Sequence, residues 1–400
     1  MRLTMKVRFI AFAFVSQALF PSVSRAQDSV RVVPGWGIDT SFTGSGDYTT
    51  QGPVPEIYRA WRDYLRLDAQ RQSPTRYWSA AEQRRWSRYD LAGDHAYQGF
   101  PATVLSIQLA HPGVGDEYVV RTLFSSTDGP TNDVKPIALT RVYAIRENGH
   151  WVFANALPRL TREWKRHSIG HITYIVQPEH KFNEEKARSA ARFADSVATV
   201  FGVPPLKSLD YYVADTPEEI LRIMGLDFMV GGEQASFSDP ARQMILVGSA
   251  AFGEDHRHEL THFVLAPVTW TANTAEIVNE GIATWLGGSL GKSFPGVMKE
   301  YAAFLTAHPT ITLDSVLTVT EHDLGKRPAG AALVEMTYQH GGVEAVKALA
   351  GSGRSSAQVH AALEKSLGTP WPEIARMWRA HVLAYAVTPP EKRGARSSPR

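Results

Sequence analysis

The spacing of apolar residues changes partway along this chain, and that change limits the fold more than any other feature. Between Ala102 and Ala156 the apolar residues form short strand-like runs: Ala102–Leu109, Tyr118–Phe124, Ile137–Arg146 and Trp151–Ala156, the last two joined across Glu147-Asn148-Gly149. Ahead of them Ile57, Trp61, Tyr64 and Leu65 recur at steps of three and four, which predicts a helix from Glu56 on whose wet face Arg59 and Asp63 can pair. Strands and helices then alternate. A strand over Ile172–Val176 precedes a helix capped by Asn183 and stopped by Gly202; strand Leu209–Val213, a helix opened by Thr216-Pro217 and strand Gln243–Val247 follow. After Ala275 the pattern reads as helical up to Val387. The expected architecture is α+β: a small α+β domain over 56–160, a basic connector at Pro158–Gly170, and a larger domain over 168–387. The larger domain carries a small sheet and a mostly helical C-terminal half.

Composition narrows the function classes. A chain of 400 residues that is 44% hydrophobic and 20% charged can bury a sizeable core, and it contains no cysteine. Disulfides, thiol catalysis, iron–sulfur clusters and cysteine-based zinc sites are therefore excluded, and any metal must sit on His, Asp or Glu. Basic residues up to Arg8, an apolar run from Phe9 to Phe20 and the small residues of Ser24-Arg25-Ala26 have the order of a signal peptide over 1–26. Export to a periplasmic or extracellular space is the expectation, followed by an irregular Gly- and Ser-rich leader over 27–55. The tail 388–400 is expected to be disordered. Removing Arg2, Lys6, Arg8 and Arg25 leaves 38 Lys and Arg against 40 Asp and Glu, so no strong basic field remains for nucleic acid. No later segment approaches 18 uninterrupted apolar residues, so no stable membrane span is expected after signal cleavage.

The chemistry concentrates at His258-Glu259-Leu260-Thr261-His262. On a helix, residues four apart lie about 6 Å apart along the axis on one face, so both imidazoles can bind a single ion. Glu259 flanks that face, where a carboxylate can reach a water on the metal. Apolar Ala250, Ala251, Phe263 and Val264 surround the motif, and Pro267 is expected to end the run. Two imidazoles leave a catalytic zinc one protein ligand short. Glu280 follows His262 after 17 intervening residues, room for a loop and an antiparallel second helix that could point a carboxylate back. The alternative third ligand, a histidine in a His-x-x-Gly-x-x-His continuation, is absent because Leu265 and Val268 occupy those positions. Glu276, one turn before Glu280, is read as a solvated carboxylate and His256 as a surface residue.

HELTH followed by Asn279-Glu280-Gly281-Ile282-Ala283 resembles the gluzincin zinc metallopeptidases, the clan of thermolysin and the zinc aminopeptidases, and within it the peptidase MA-like branch. The resemblance covers roughly residues 168–387. It implies Zn2+ held by His258, His262 and Glu280, Glu259 as general base, and a peptide or protein substrate. The aminopeptidase branch carries a Tyr three residues before a helix-opening Gly; if that Gly is Gly330, the position holds Arg327 here. Arg327, His322, Tyr338 and His340 are the candidates for steadying an oxyanion. That branch also has a Gly-x-Met-Glu-Asn strand, which Gly231-Gly232-Glu233-Gln234-Ala235 matches only in part. The front domain resembles the cone-shaped nuclear-transport-factor-2-like superfamily. Two readings follow: an exported zinc metallopeptidase, or a catalytically silent peptide- or ligand-binding protein that retains the scaffold. The intact Glu259 favours the first, because a mere metal clip has no need of that carboxylate.

Overall fold

Amphipathic helices and alternating strands assemble into mixed α+β structure, in a computed structural model that describes residues 52–66, 75–86, 90–92, 100–111, 116–128, 133–230, 236–318 and 325–387. The expected signal peptide, most of the leader and the tail 388–400 lie outside these residues. The described residues divide into two compact units, one built from residues up to 164 together with 216–235, the other from 165–215 and 236 onward.

In the first unit, helix α1 (Val54–Arg66) begins inside the expected leader and buries Val54, Ile57, Trp61 and Tyr64 on one stripe. A short helix α2 (Ala80–Arg85) is capped by the Ser79 side chain. Strands β1 (Ala102–Leu109), β2 (Tyr118–Asp128), β3 (Asp133–Glu147) and β4 (His150–Ala154) form an antiparallel meander in that order. Its inner face presents Val104, Val120, Val142 and Phe153 to Trp61. The indole of Trp61 is fully buried and donates to Thr122 Oγ1 at 2.8 Å, which satisfies its one polar atom.

The second unit starts within the expected connector. There β5 (Lys165–Ile169) pairs antiparallel with β6 (Ile172–Val176), so the stretch is an edge strand as well as a link. Helix α3 (Glu184–Phe201), capped by Asn183 and ended by Gly202 in the left-handed region, carries the chain to β7 (Leu209–Ala214), parallel to β6. The chain then returns to the first unit for helix α4 (Pro217–Met224) and strand β8 (Leu226–Met229), which pairs with β3. Sequence reading placed this segment inside the 168–387 block. Pairing with a strand some ninety positions earlier leaves no local signal. Strands β9 (Ser236–Asp239) and β10 (Met244–Gly248) complete a second sheet in the order β5-β6-β7-β10-β9, with β10 parallel to β7 and β9 antiparallel at the edge.

Helix α5 (Arg257–Val264) lies against this sheet through Leu260 and Phe263, beside Ala187 and Ala190 of α3. After a helical turn at Ala266–Thr269 come α6 (Glu276–Gly287), α7 (Phe294–Ala307), α8 (Leu313–Thr318), α9 (Lys326–Ala350, kinked at Gly341 and Gly342), α10 (Ser356–Leu367) and α11 (Trp371–Val387). They enclose a second core around Trp285, Met298, Leu333 and Trp378. Pro267 does not end a helix. It sits in the first turn of Ala266–Thr269, where its missing N–H costs nothing, and the chain breaks earlier at Leu265. Among the described residues, no helix is long and apolar enough to cross a membrane.

Candidate metal centre

Sheet tyrosines hold the entry to α5. Tyr211 Oη accepts from the His256 backbone N–H and donates to the Gly253 carbonyl, each at 3.1 Å, and Tyr174 Oη donates to the Glu254 carbonyl at 3.3 Å. Glu254 in turn accepts from the Asn183 backbone at 2.7 Å and faces His180 Nε2 at 3.0 Å, which ties the loop before α5 to the start of α3.

Glycines set the approach of the neighbouring helices. A Cβ on Gly281 would stand 2.5 Å from the Gly330 carbonyl carbon, one on Gly330 would stand 2.0 Å from the Ile277 oxygen, and one on Gly287 would stand 2.5 Å from the His258 nitrogen. Real Cβ contacts do not reach such distances, so α6 touches α5 and α9 through backbone at these points. The Gly of the Asn-Glu-Gly signature is a packing residue.

This packing brings His258 and His262 of α5 together with Glu280 of α6. The three side chains offer ligand atoms within 4.8 Å of one another. The two Nε2 atoms are 3.2 Å apart, Glu280 Oε1 lies 3.2 Å from His262 Nε2, and Glu280 Oε2 lies 3.4 Å from His258 Nε2. Glu259 is beside them, and none of the four exposes more than 6% of its surface.

Polarity shows what this cluster can hold. His258 Nδ1 is 2.8 Å from the Gly288 carbonyl, which can only accept, so the proton is on Nδ1 and Nε2 presents a lone pair. His262 Nδ1 faces Asn279 Oδ1 at 3.2 Å with the same consequence. In their neutral forms the two rings turn lone pairs toward each other and toward the carboxylate, an arrangement that suits a shared cation, whether a metal ion or a proton. A tetrahedral ion with bonds of about 2.0–2.1 Å has ligand–ligand edges of about 3.3 Å, so the observed spacings fit zinc. Glu259 Oε2 is buried without a hydrogen-bond partner among the described residues.

Without a metal, a proton is the cation that the cluster draws in. Burial alone would raise the pKa of Glu280, but Arg327 and then His262 hold it well below the usual carboxylate range. Burial opposes a proton on His262, yet Glu280 and, further off, Glu259 outweigh it and raise its pKa.

The remaining sequence candidates separate. Arg327 Nε lies 2.7 Å from Glu280 Oε2. Tyr338 packs with its ring tilted against Trp285, 4.8 Å between ring centres, and His340 is exposed; among the described residues neither makes a polar contact with the cluster. His322 and residues 231–235 lie outside the described residues. Glu276 is exposed, in keeping with a solvated carboxylate. His256 is a correction: it is buried, 4.1 Å from the ring of Phe252, and burial pushes its pKa down to about 4 although Glu259 pulls the other way. The helix starts at Arg257, so His256 is a cap residue folded onto Phe252 instead of one on an open face. Sequence reading missed Asn279, Gly288 and the Arg327 contact. Asn279 stands inside the signature, and its neighbourhood to a ligand was the one available signal.

No protein-family model matches this chain, and no curated protein matches it. Among solved structures the chain is similar to an M1 zinc metallopeptidase from Deinococcus radiodurans, at 12% identity over 72% of this chain and 62% of that one, with a TM-score of 0.33. It is also similar to a mutant M1 zinc metallopeptidase from Deinococcus radiodurans bound to a Tyr-Ser-Ala substrate, at 12% identity over 72% of this chain and 64% of that one, with a TM-score of 0.34. The chain spans less than two thirds of the length of these solved chains.

Proposed function

We propose that this chain is an exported zinc-dependent metallopeptidase of the gluzincin type that hydrolyses peptide bonds in a peptide or protein substrate. One observation carries the reading: three potential ligand groups from two helices converge at the edge lengths of a zinc tetrahedron, with a buried Glu259 oxygen that lacks a hydrogen-bond partner alongside. In this reading His258, His262 and Glu280 hold the ion. Zinc bound there supplies Lewis acidity and makes water a usable nucleophile near neutral pH. Glu259 would accept a proton from the attacking water at Oε2 and return it to the leaving amine. Asn279 and the Gly288 carbonyl fix the two imidazole tautomers, so both Nε2 lone pairs stay turned inward.

Two further assignments belong to the same proposal. Export rests on the order of residues 1–26. A nuclear-transport-factor-2-like front domain rests on α1 packed across an antiparallel meander.

The test uses the purified chain and its Glu259→Gln variant. Both should carry about one zinc per chain. The variant should lose hydrolysis of an unstructured protein by a factor of about 10² to 10⁴, the usual contribution of a general base. Zinc bound by the wild type without hydrolysis of any peptide in a broad library would favour the silent scaffold.

A further inference from the structure

Arg327 is the second residue of α9, three residues before the Gly330 crossing, and the backbone contact with α6 brings that end of the helix beside Glu280. Its Nε is 2.7 Å from Glu280 Oε2, and its side chain is 31% exposed while that of Glu280 is 8% exposed. Among the described residues Arg327 is the only fixed cation paired with Glu280, and Glu280 is the only carboxylate paired with Arg327. The pairing is one of charge more than of a directed hydrogen bond, since Oε2 receives none with good geometry. The carboxylate stands on edge between both imidazoles, with Oε1 toward His262 and Oε2 toward His258.

Without a metal this carboxylate is a buried anion held between two imidazoles, which is strongly unfavourable unless a cation is near. Glu280 stands on a helix fixed by glycine contacts, whereas Arg327 reaches it on a long, flexible and partly solvated stem. The rigid partner is the one that must keep its geometry. The flexible partner can withdraw toward water.

We propose that Arg327 is a stand-in cation for the metal. It keeps the Glu280 carboxylate in place between the imidazoles before a divalent ion arrives, and yields part of that contact when the ion binds. This rests on the reading of His258, His262 and Glu280 as ligands. Arg327 is then a positioning residue, and its charge matters most in the metal-free protein.

The test compares wild type, Arg327→Ala, Arg327→Lys, Glu280→Gln and the double variant Arg327→Ala/Glu280→Gln, each stripped by chelator and then reloaded with zinc. Thermal midpoints are read in both forms, and zinc affinity is read by competition with a chromogenic chelator. Arg327→Ala should weaken zinc binding about ten- to a hundredfold, the usual cost of losing a group that orients a ligand. Arg327→Lys should recover most of that loss. The fall in midpoint should be larger in the zinc-free protein than in the loaded one, and should vanish in the Glu280→Gln background. An equal fall in both forms, a fall that persists with Glu280→Gln, or zinc binding that is unchanged or tighter would overturn the proposal. A wild-type chain that takes up no zinc would overturn the ligand reading and this proposal with it; wild-type binding with an indifferent Arg327→Ala overturns this proposal alone.

Discussion

Glu335 and Glu280 are both buried glutamates that face histidines in the helical unit, and their surroundings are satisfied in different ways. Glu335 Oε2 lies 2.6 Å from His381 Nε2 and accepts from Tyr385 Oη at 2.6 Å, so the pairing links α9 to α11 and closes on itself. At Glu280 the neighbours are imidazoles whose outward nitrogens are already committed to Gly288 and Asn279, so in their neutral forms acceptors turn toward acceptors and the cluster favours a cation. Glu259 adds an oxygen with no hydrogen-bond partner among the described residues. Burial of polar groups is costly in either place. Where donors and acceptors pair off, the cluster is part of the scaffold. Where they do not, the cluster favours a bound cation and is a candidate for chemistry.

The sharpest way to break this contrast is to remove Glu280. Glu280→Ala should reduce zinc from about one per chain to almost none, while Glu276→Ala, an exposed carboxylate one turn earlier, should leave it unchanged; metal analysis after gel filtration reads both. Equal losses would mean that the third ligand is misassigned. Next comes the helix crossing. Gly281→Ala forces a methyl against the Gly330 carbonyl and should cost about 3 kcal/mol, the upper end for overpacking, in chemical denaturation, with zinc content falling too. For the self-satisfied pair the expectation is reversed. Glu335→Gln should lower stability by about 2 kcal/mol, the value of hydrogen bonds to a charged group, without altering zinc stoichiometry. If it released zinc instead, the division between scaffold and site would fail. Asn279→Ala is the mildest: zinc affinity should drop about tenfold, because His262 loses the partner that fixes its tautomer, with little change in the unfolding midpoint of the metal-free chain.

The parts legible in sequence are those governed by neighbours along the chain. The stripe of Ile57, Trp61 and Tyr64, the Asn183 and Thr216 caps and the Gly202 stop all follow from local backbone and side-chain chemistry, and helices stand there. The i, i+4 placement of His258 and His262 belongs to the same class. Other features turned on three-dimensional geometry that residue type and spacing do not show. Pro267 reads as a terminator until the break at Leu265 is seen, and His256 reads as exposed until Phe252 is found beside it. The basic stretch before Gly170 reads as a linker, yet Lys165–Ile169 pairs with the strand that follows. The return of 216–230 to the first sheet depends on β3, whose pairing preference is not written in the returning segment.

By itself the sequence determined that one short helix would carry two imidazoles and a carboxylate on adjoining faces, that any metal would rest on His, Asp or Glu, and that strands would precede a helical half. Helical periodicity and residue chemistry are local, so these needed no fold. Only the tertiary structure decided that Glu280 would face both imidazoles, that Arg327 would stand beside it, and that the outer nitrogens would be tied down so their lone pairs point inward. Those outcomes depend on how closely helices can approach. At Gly281 and Gly330 that distance is set by the absence of side chains, and it takes both helices to make the contact.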